Sequence, residues 1–178
     1  MTTSRGPVRI PRAAEALRLP LWQRSQQRMR ERYGFDMDSR DALDRARARV
    51  AEAPEDAEAA LLLGSVLATR GEPDLAEASV RRALELAPRL PRAHTTLATL
   101  QMQRGDREQA LRSARNAAAL DREDPTVLYN LGLAEWFAGE RGTAKAAFDR
   151  AAEALRATSG EEQPPPRPPW WRRIGRGG

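Results

Sequence analysis

Small and apolar side chains recur through the middle of the chain at the spacing of one helix face. Ala76, Val80 and Ala83 stand four and three residues apart with polar residues between them, which is the pattern of an amphipathic α-helix. The pattern returns every 34 residues without an insertion and predicts three pairs of helices, over 57–90, 91–124 and 125–157. The aligned columns are Leu63, Leu97 and Leu131; Gly64, Ala98 and Gly132; Gly71, Gly105 and Gly139; Ala76, Ala110 and Ala144; Val80, Ala114 and Phe148; and Ala83, Ala117 and Ala151.

Two of these columns contain glycine, for different reasons. Gly64 and Gly132 stand in the middle of a predicted helix, where glycine costs about 1 kcal/mol relative to alanine. We therefore expect another helix to pass too close for a larger side chain. Gly71, Gly105 and Gly139 each follow a helical stretch, where a residue in the left-handed conformation commonly ends an α-helix. The columns predict two helices and a tight turn in each copy.

The pattern resembles the tetratricopeptide repeat. The resemblance implies an all-α fold, namely an α-solenoid of about three helix-turn-helix repeats with a degenerate N-terminal repeat and irregular basic tails. It also implies a concave groove, lined by the first helix of each repeat, that takes a segment of another protein. The first copy carries the family's residue types at Leu63, Gly64, Leu67, Ala76, Val80, Ala83 and Pro88.

The residues before the first copy predict a further, incomplete repeat. Residues 39–56 match a lone second helix with Asp38 or Ser39 as its N-cap, and Trp22, Met29 and Tyr33 fall on one face of a first helix over 21–33. Four regions follow from these patterns. They are a basic N-terminal arm over 1–20, degenerate or partial repeat or capping helices over 21–56, three repeats over 57–157, and a Pro-rich tail containing Trp and Arg over 158–178.

Charge and composition narrow the range of functions. The net charge is +5 and the arginines concentrate towards the two ends of the chain, which flank a mildly acidic middle. The N-terminal arginines are not followed by an apolar stretch of the kind found in a secretory signal. No uncharged apolar stretch of the sequence is long enough to span a membrane. We therefore expect a cytoplasmic protein, with contact to a membrane surface through the tails as one option.

Candidate catalytic, cofactor and metal sites are not apparent in the sequence. The chain has no cysteine and a single histidine, His94, at a position that packs between helices in the family that the chain resembles. The acidic residues Asp121, Glu123 and Asp124 precede Pro125 at a predicted helix start, where carboxylates cap free N–H groups. We expect a protein that is not an enzyme and has no cofactor, no metal and no small-molecule substrate.

The resemblance indicates which residues face the groove. The groove would be small and polar in its early part and apolar and aromatic in its late part, with anchors for an apolar face of a partner. An alternative for Trp136 and Phe137 is that one of them packs in the core. The candidate partner-binding residues are Thr95, Thr99, Met102, Tyr129, Asn130, Leu133, Trp136 and Phe137.

The C-terminal tail carries a second candidate site. Five prolines precede Trp170, Trp171, Arg172 and Arg173, and such a segment favours an extended, polyproline-like lead. These four residues form a tail anchor with three alternatives. They fold back to cap the last repeat, which has no extra capping helix of its own in the sequence, they dock on another subunit, or they contact anionic lipid.

The residues together predict a protein-interaction scaffold. We expect a non-enzymatic adaptor or assembly subunit that binds a partner segment in its groove, belongs to a larger complex and anchors through its basic ends. One alternative is a peripheral membrane assembly factor for a membrane protein complex. A second alternative is an accessory protein for nucleic acid or ribonucleoprotein, acting through its basic ends.

Overall fold

The computed structural model describes residues 10–159, and this part of the chain is built from α-helices. Connections of a few residues join most of the helices, so that consecutive helices lie side by side. The helices are α1 (Arg12–Tyr33), α2 (Ala42–Glu52), α3 (Ala57–Thr69), α4 (Pro73–Leu86), α5 (Pro91–Arg104), α6 (Arg107–Leu120), α7 (Pro125–Ala138) and α8 (Arg141–Ser159).

Three helical hairpins stack along the chain, as the 34-residue period predicts. α3 pairs with α4, α5 with α6, and α7 with α8. Each hairpin then packs on the next, because α4 contacts α5 and α6 contacts α7. α2 packs on α3 at the start of the stack. The predicted all-α solenoid is confirmed.

A close approach inside the first and third hairpins explains the glycines in mid-helix. A Cβ on Gly64 would lie 2.7 Å from Cγ2 of Val80 and 3.0 Å from the carbonyl oxygen of Ala76. A Cβ on Gly132 would lie 2.6 Å from Cε1 of Phe148. Both carbon–carbon distances are shorter than van der Waals contact allows, so the predicted need for a residue without a side chain is confirmed.

The turns between the paired helices also follow the prediction. Gly71, Gly105 and Gly139 have φ angles of 77°, 86° and 92°, in the left-handed region that glycine adopts without strain. Each of these glycines is followed within a few residues by the second helix of its pair. The three hairpins therefore turn in the same way.

The N-terminal helix differs from the prediction in its length and its neighbours. α1 begins at Arg12 and continues through Pro20, so the predicted boundary between 20 and 21 falls inside it. Its backbone packs against α7 and α8 at the other end of the stack and not against α2, so α1 and α2 do not form a repeat hairpin.

The reason lies in the face that α1 buries. Ala14, Leu17 and Leu21 are 0%, 8% and 3% exposed and share one apolar cluster with residues of α7 and α8. Trp22, which the sequence suggests as part of the packing face, is 54% exposed. Burial of the two leucines stabilises a helix across Pro20, each by roughly 1.5 to 3 kcal/mol.

α2 starts later than the sequence suggests. Residues 38–41 form turns, and Asp41 stands at the N-cap rather than Asp38 or Ser39. The carbonyl oxygen of Ser39 accepts from the backbone N–H of Ala42 at 3.1 Å, so this turn takes the place of a longer helix. Ala42 and Ala46 are fully buried and fix α2 against α3.

We expect the contact at Gly132 to appear in a double-mutant cycle. Gly132→Ala should lower the free energy of unfolding by about 1 to 3 kcal/mol, since the new methyl group overlaps Phe148. In a Phe148→Ala background the same change should stabilise slightly, because alanine is the better helix former. Urea denaturation followed by circular dichroism measures both effects.

Gly142→Ala is the matched control for that cycle. A Cβ at Gly142, near the start of α8, would meet no atom within 4 Å. The change should leave the stability equal or raise it by up to about 1 kcal/mol. Equal losses for Gly132→Ala in the two backgrounds would contradict the proposed contact.

Candidate functional site

A cavity lies between α1 and the first helices of the three repeats. Its volume is about 380 Å³, and its walls come from α3, α5 and α7 on one side and from α1 on the other. Small hydroxyl and amide side chains dominate the wall that the repeats contribute. They include Ser65, Thr95, Thr96, Thr99, Thr126 and Asn130.

The predicted partner-binding residues do not all lie in this cavity. Thr95, Thr99 and Asn130 line it. Tyr129 is buried beneath α1, with its ring centroid 5.8 Å from that of Phe148. Thr95, Thr99 and Asn130 therefore lie in the expected groove, whereas α1 covers Tyr129 in the late part of it.

The other predicted groove residues pack elsewhere. Leu133 and Trp136 lie against the cluster that contains Tyr129, and Met102 packs against a cluster of α5, α6 and α7 residues. The guanidinium carbon of Arg141 lies 3.6 Å from the centroid of the Trp136 ring. Phe137 is half-buried and does not line the cavity. The structure thus does not gather Met102, Leu133, Trp136 and Phe137 with the cavity residues.

The hydroxyl groups of the cavity present hydrogen-bond acceptors. Those of Ser65, Thr95 and Thr96 donate to carbonyl oxygens of their own helix at 2.9, 3.1 and 3.0 Å. A hydroxyl has one proton and two lone pairs, so these oxygens keep acceptor capacity after the proton is used. The side chains of Thr99 and Asn130 connect α5 to α7 at 3.2 Å. The wall is therefore suited to N–H donors of a ligand.

An ion pair attaches α1 to the start of α7. Asp124 caps α7 by accepting from the N–H groups of Thr126 and Val127 at 2.7 and 3.1 Å, as the sequence predicts. Arg28 of α1 donates to the same carboxylate at 2.7 Å and to Oγ1 of Thr126 at 3.0 Å. Burial alone would raise the pKa of Asp124, but the hydrogen bond and charge of Arg28, together with the two N–H donors, leave this pKa below its usual value.

A second acidic residue receives the end of α1. Glu58, in the first turn of α3, pairs with Arg92 of α5 and with Arg32 of α1, the latter at 3.4 Å. The hydroxyl of Tyr33 donates to it at 3.3 Å. α1 is thus tied to the first helices of the first and third repeats, and it runs across the groove between them.

Other candidate chemistry has a structural role. Nε2 of His94 lies 2.9 Å from the carbonyl oxygen of Pro88 and so ties α5 to the loop before it. Within residues 10–159, no three His, Cys, Asp or Glu side chains come together as a metal site would require. In the same range no helix is both long and apolar enough to cross a membrane. The tail anchor Trp170, Trp171, Arg172 and Arg173 lies outside the described residues.

The sequence analysis does not predict that α1 lies across the groove. The spacing of Ala14, Leu17 and Leu21 carries the signal for a buried helix face. Pro20 obscures that signal, because proline normally ends a helix. The partner of that face lies more than a hundred residues away, so no local pattern reveals it.

Comparison with known proteins agrees with the repeat geometry. The sequence profile of the tetratricopeptide repeat matches residues 37–91 and 95–162, which is more than half of the chain. The chain belongs to the tetratricopeptide repeat family. Proteins of this family serve in general as protein-interaction scaffolds and are typically non-catalytic. No curated protein sequence matches the chain.

Solved structures share the fold at low sequence identity. MamA is 22% identical with a TM-score of 0.57, covering 68% of this chain and 71% of that chain. YrrB, described as a protein with an unusual peptide-binding site, is 21% identical with a TM-score of 0.53, covering 66% and 63%. TTC0263 of Thermus thermophilus is 18% identical with a TM-score of 0.59, covering 83% and 97%.

We expect the Arg28–Asp124 pair to make stability depend on pH. Asp124→Asn keeps an N-cap but loses the charge. It should lower the free energy of unfolding at pH 7 by about 1 kcal/mol, and not more, because Arg28 is partly exposed. Because the pKa of Asp124 is lowered in the folded protein, the contribution is complete above the unfolded value of about 3.9 and is lost as the pH falls through the folded value. Urea denaturation at pH 7 and at several values below pH 4 should show the difference from wild type shrinking.

Asp74→Asn provides the control for the charge effect. Asp74 pairs with Arg104, but its side chain is 89% exposed, and exposed pairs contribute little. Asp74→Asn should change the free energy of unfolding little at pH 7 and at the values below pH 4. A loss for Asp124→Asn that stays constant as the pH is lowered well below 4 would argue against the ion pair as the cause.

Proposed function

We propose that this chain is a non-enzymatic scaffold that binds a segment of another protein on its concave surface. The observation that carries the proposal is the cavity of about 380 Å³ on the first helices of the repeats, which is lined mainly by small hydroxyl, amide and apolar groups. A general role in protein interaction is common to the family. The segment, its sequence and its source belong to the proposal.

The chemistry of the cavity favours a segment of a protein over a small molecule. Its wall offers hydroxyl acceptors on the first helices of the three repeats, at Ser65, Thr96 and Thr126. The side chains of a protein segment present N–H donors, as Arg28 of α1 does to Oγ1 of Thr126 at 3.0 Å, and the methyl groups of the threonines accept small apolar side chains. The peptide-binding site named in the description of YrrB belongs to that protein, and we infer the same class of ligand for this one.

The two alternatives depend on the basic ends of the chain. Binding to a membrane surface or to nucleic acid would use the arginines of residues 1–35 and 160–178. Of these, residues 1–9 and 160–178 lie outside the described residues, and Arg28 and Arg32 of α1 pair with Asp124 and Glu58. Nothing in residues 10–159 favours either alternative over a protein ligand. Membership of a larger complex and a cytoplasmic location also stay predictions of the sequence.

Site-specific crosslinking tests the proposal. A photoreactive benzoyl-phenylalanine at Thr96 would stand in the cavity, whereas the same group at Arg112, whose side chain is 68% exposed on α6, would stand away from it. We expect crosslinks to a protein partner in cells of the native host from position 96 and few from position 112. Mass spectrometry of the adducts identifies the partner and the crosslinked segment.

A blocking variant is the control for that experiment. Ser65→Trp would fill the cavity from α3 without altering position 96, and it should remove the crosslinks from Thr96. Adducts that are equal at the two positions, or that persist when the cavity is filled, would rule out the concave surface as the binding site.

A further inference from the structure

α1 contacts the repeats near its two ends. Its first half buries Leu17 and Leu21 in a cluster that contains Leu128, Tyr129 and Phe148. Its second half buries Met29 in a separate cluster that includes residues of α2 and α3. The first cluster belongs to the third repeat and the second to the start of the stack. α1 therefore bridges the groove between two separate attachments.

The part of α1 between these attachments lies over the cavity. Trp22, Ser25 and Arg28 line the cavity from above. Trp22 is 54% exposed although it is one of the largest side chains of the helix. Between Leu21 and Met29 no apolar residue of α1 is buried. The apolar contacts that hold α1 on the repeats therefore lie on either side of this span.

Several features of α1 oppose its bound state. Pro20 lies inside the helix, and no side chain caps its first turn. Nε of Arg24 and Oε1 of Gln26 are buried without a hydrogen-bond partner, which opposes burial because both groups lose their water. Elements with such local costs are the first to open.

The surface under α1 has a definite chemistry. It offers an apolar patch at Leu128, Tyr129 and Phe148 and two carboxylates, Asp124 and Glu58, which the cations of α1 engage. These features suit a helix that is apolar on one face and basic towards one end. The resident helix shows the spacing, since its contact residues are Ala14, Leu17, Leu21 and Arg28.

We propose that this surface is a docking site for a basic amphipathic helix of a partner protein, and that α1 is the resident helix which the partner displaces. A partner helix would carry a small residue, leucines three and seven positions later and an arginine fourteen positions later. The proposal rests on the proposed function as a protein scaffold and adds to it the class of partner and the route by which the groove opens.

The test uses the full chain and a labelled peptide of residues 10–34, which is α1 itself with its flanking residues. In wild type the tethered α1 competes at an effective concentration of the order of millimolar, so the peptide should bind weakly. Leu21→Asp in the full chain releases the tethered helix while leaving α7 and α8 unchanged. Peptide affinity, measured by fluorescence anisotropy, should rise at least tenfold in this variant.

Leu19→Asp is the matched control, because Leu19 is the same residue type on the same helix and is 60% exposed. It should leave the peptide affinity at the wild-type level. Substitutions in the peptide provide a second comparison. Leu21→Asp in the peptide should abolish binding to the released chain, Arg28→Ala should weaken it severalfold, and Leu19→Asp should have no effect.

Arg28→Glu in the full chain tests whether the rise in peptide affinity comes from release of α1 or from unfolding. It places a negative charge beside Asp124 and keeps every buried apolar side chain of α1, so it should also raise peptide affinity. Circular dichroism should show that the repeats of both variants melt as a folded array. With folded variants, an affinity that stays at the wild-type level would overturn the proposal and make α1 a permanent brace.

Three further outcomes separate the possible failures. If the released variants form dimers by light scattering and take up no peptide, the occupant is a second copy of the chain, which overturns the assignment to a partner protein. If the peptide binds but Thr96 gives no crosslinks in cells, the docking chemistry stands and the proposed scaffold function fails. If Thr96 crosslinks and the peptide never binds, the scaffold function stands and the displacement of α1 is overturned.

Discussion

Within the first and third repeats, the two helices approach so closely that the residue at their crossing has no side chain. The residue opposite is then large, as in the pairs Gly64 with Val80 and Gly132 with Phe148. The second repeat has Ala98 in the glycine column and Ala114 in the opposite column, and the two share one cluster. In each repeat, small side chains at this crossing allow the two helices to pack closely. The hairpins, their stacking and the concave surface all depend on this contact.

α1 connects the two ends of the stack directly. In a solenoid each repeat contacts its neighbours, so the two ends communicate only through the units between them. Here Arg28 reaches Asp124, 96 positions along the chain, and Tyr33 reaches Glu58 near the first repeat. The first and last repeats therefore share a structural element. The same helix covers the apolar surface of the third repeat, which a longer array would bury against a further repeat.

The positions of the groove residues could be predicted, but the accessibility of those residues could not. Thr95, Thr99 and Asn130 follow from the repeat register, because a side chain's place on a helix face is set by its position in the period, and they line the cavity. Tyr129 follows from the same register and is nevertheless buried, because a helix from the other end of the chain packs on it. Register fixes the direction of a side chain, whereas its exposure depends on every element that packs nearby.

The amino-acid sequence by itself determined the three hairpins, their glycine turns and the direction of their inner faces. These features arise from contacts within 34 residues, and a periodic pattern records them directly. The tertiary structure alone decided the length of α1, its course across the groove and the pairing of its cations with Glu58 and Asp124. The physical reason is that the apolar pattern of a helix face indicates only that the face is buried and not which surface covers it. The surface that buries it is chosen by shape and charge in the folded chain.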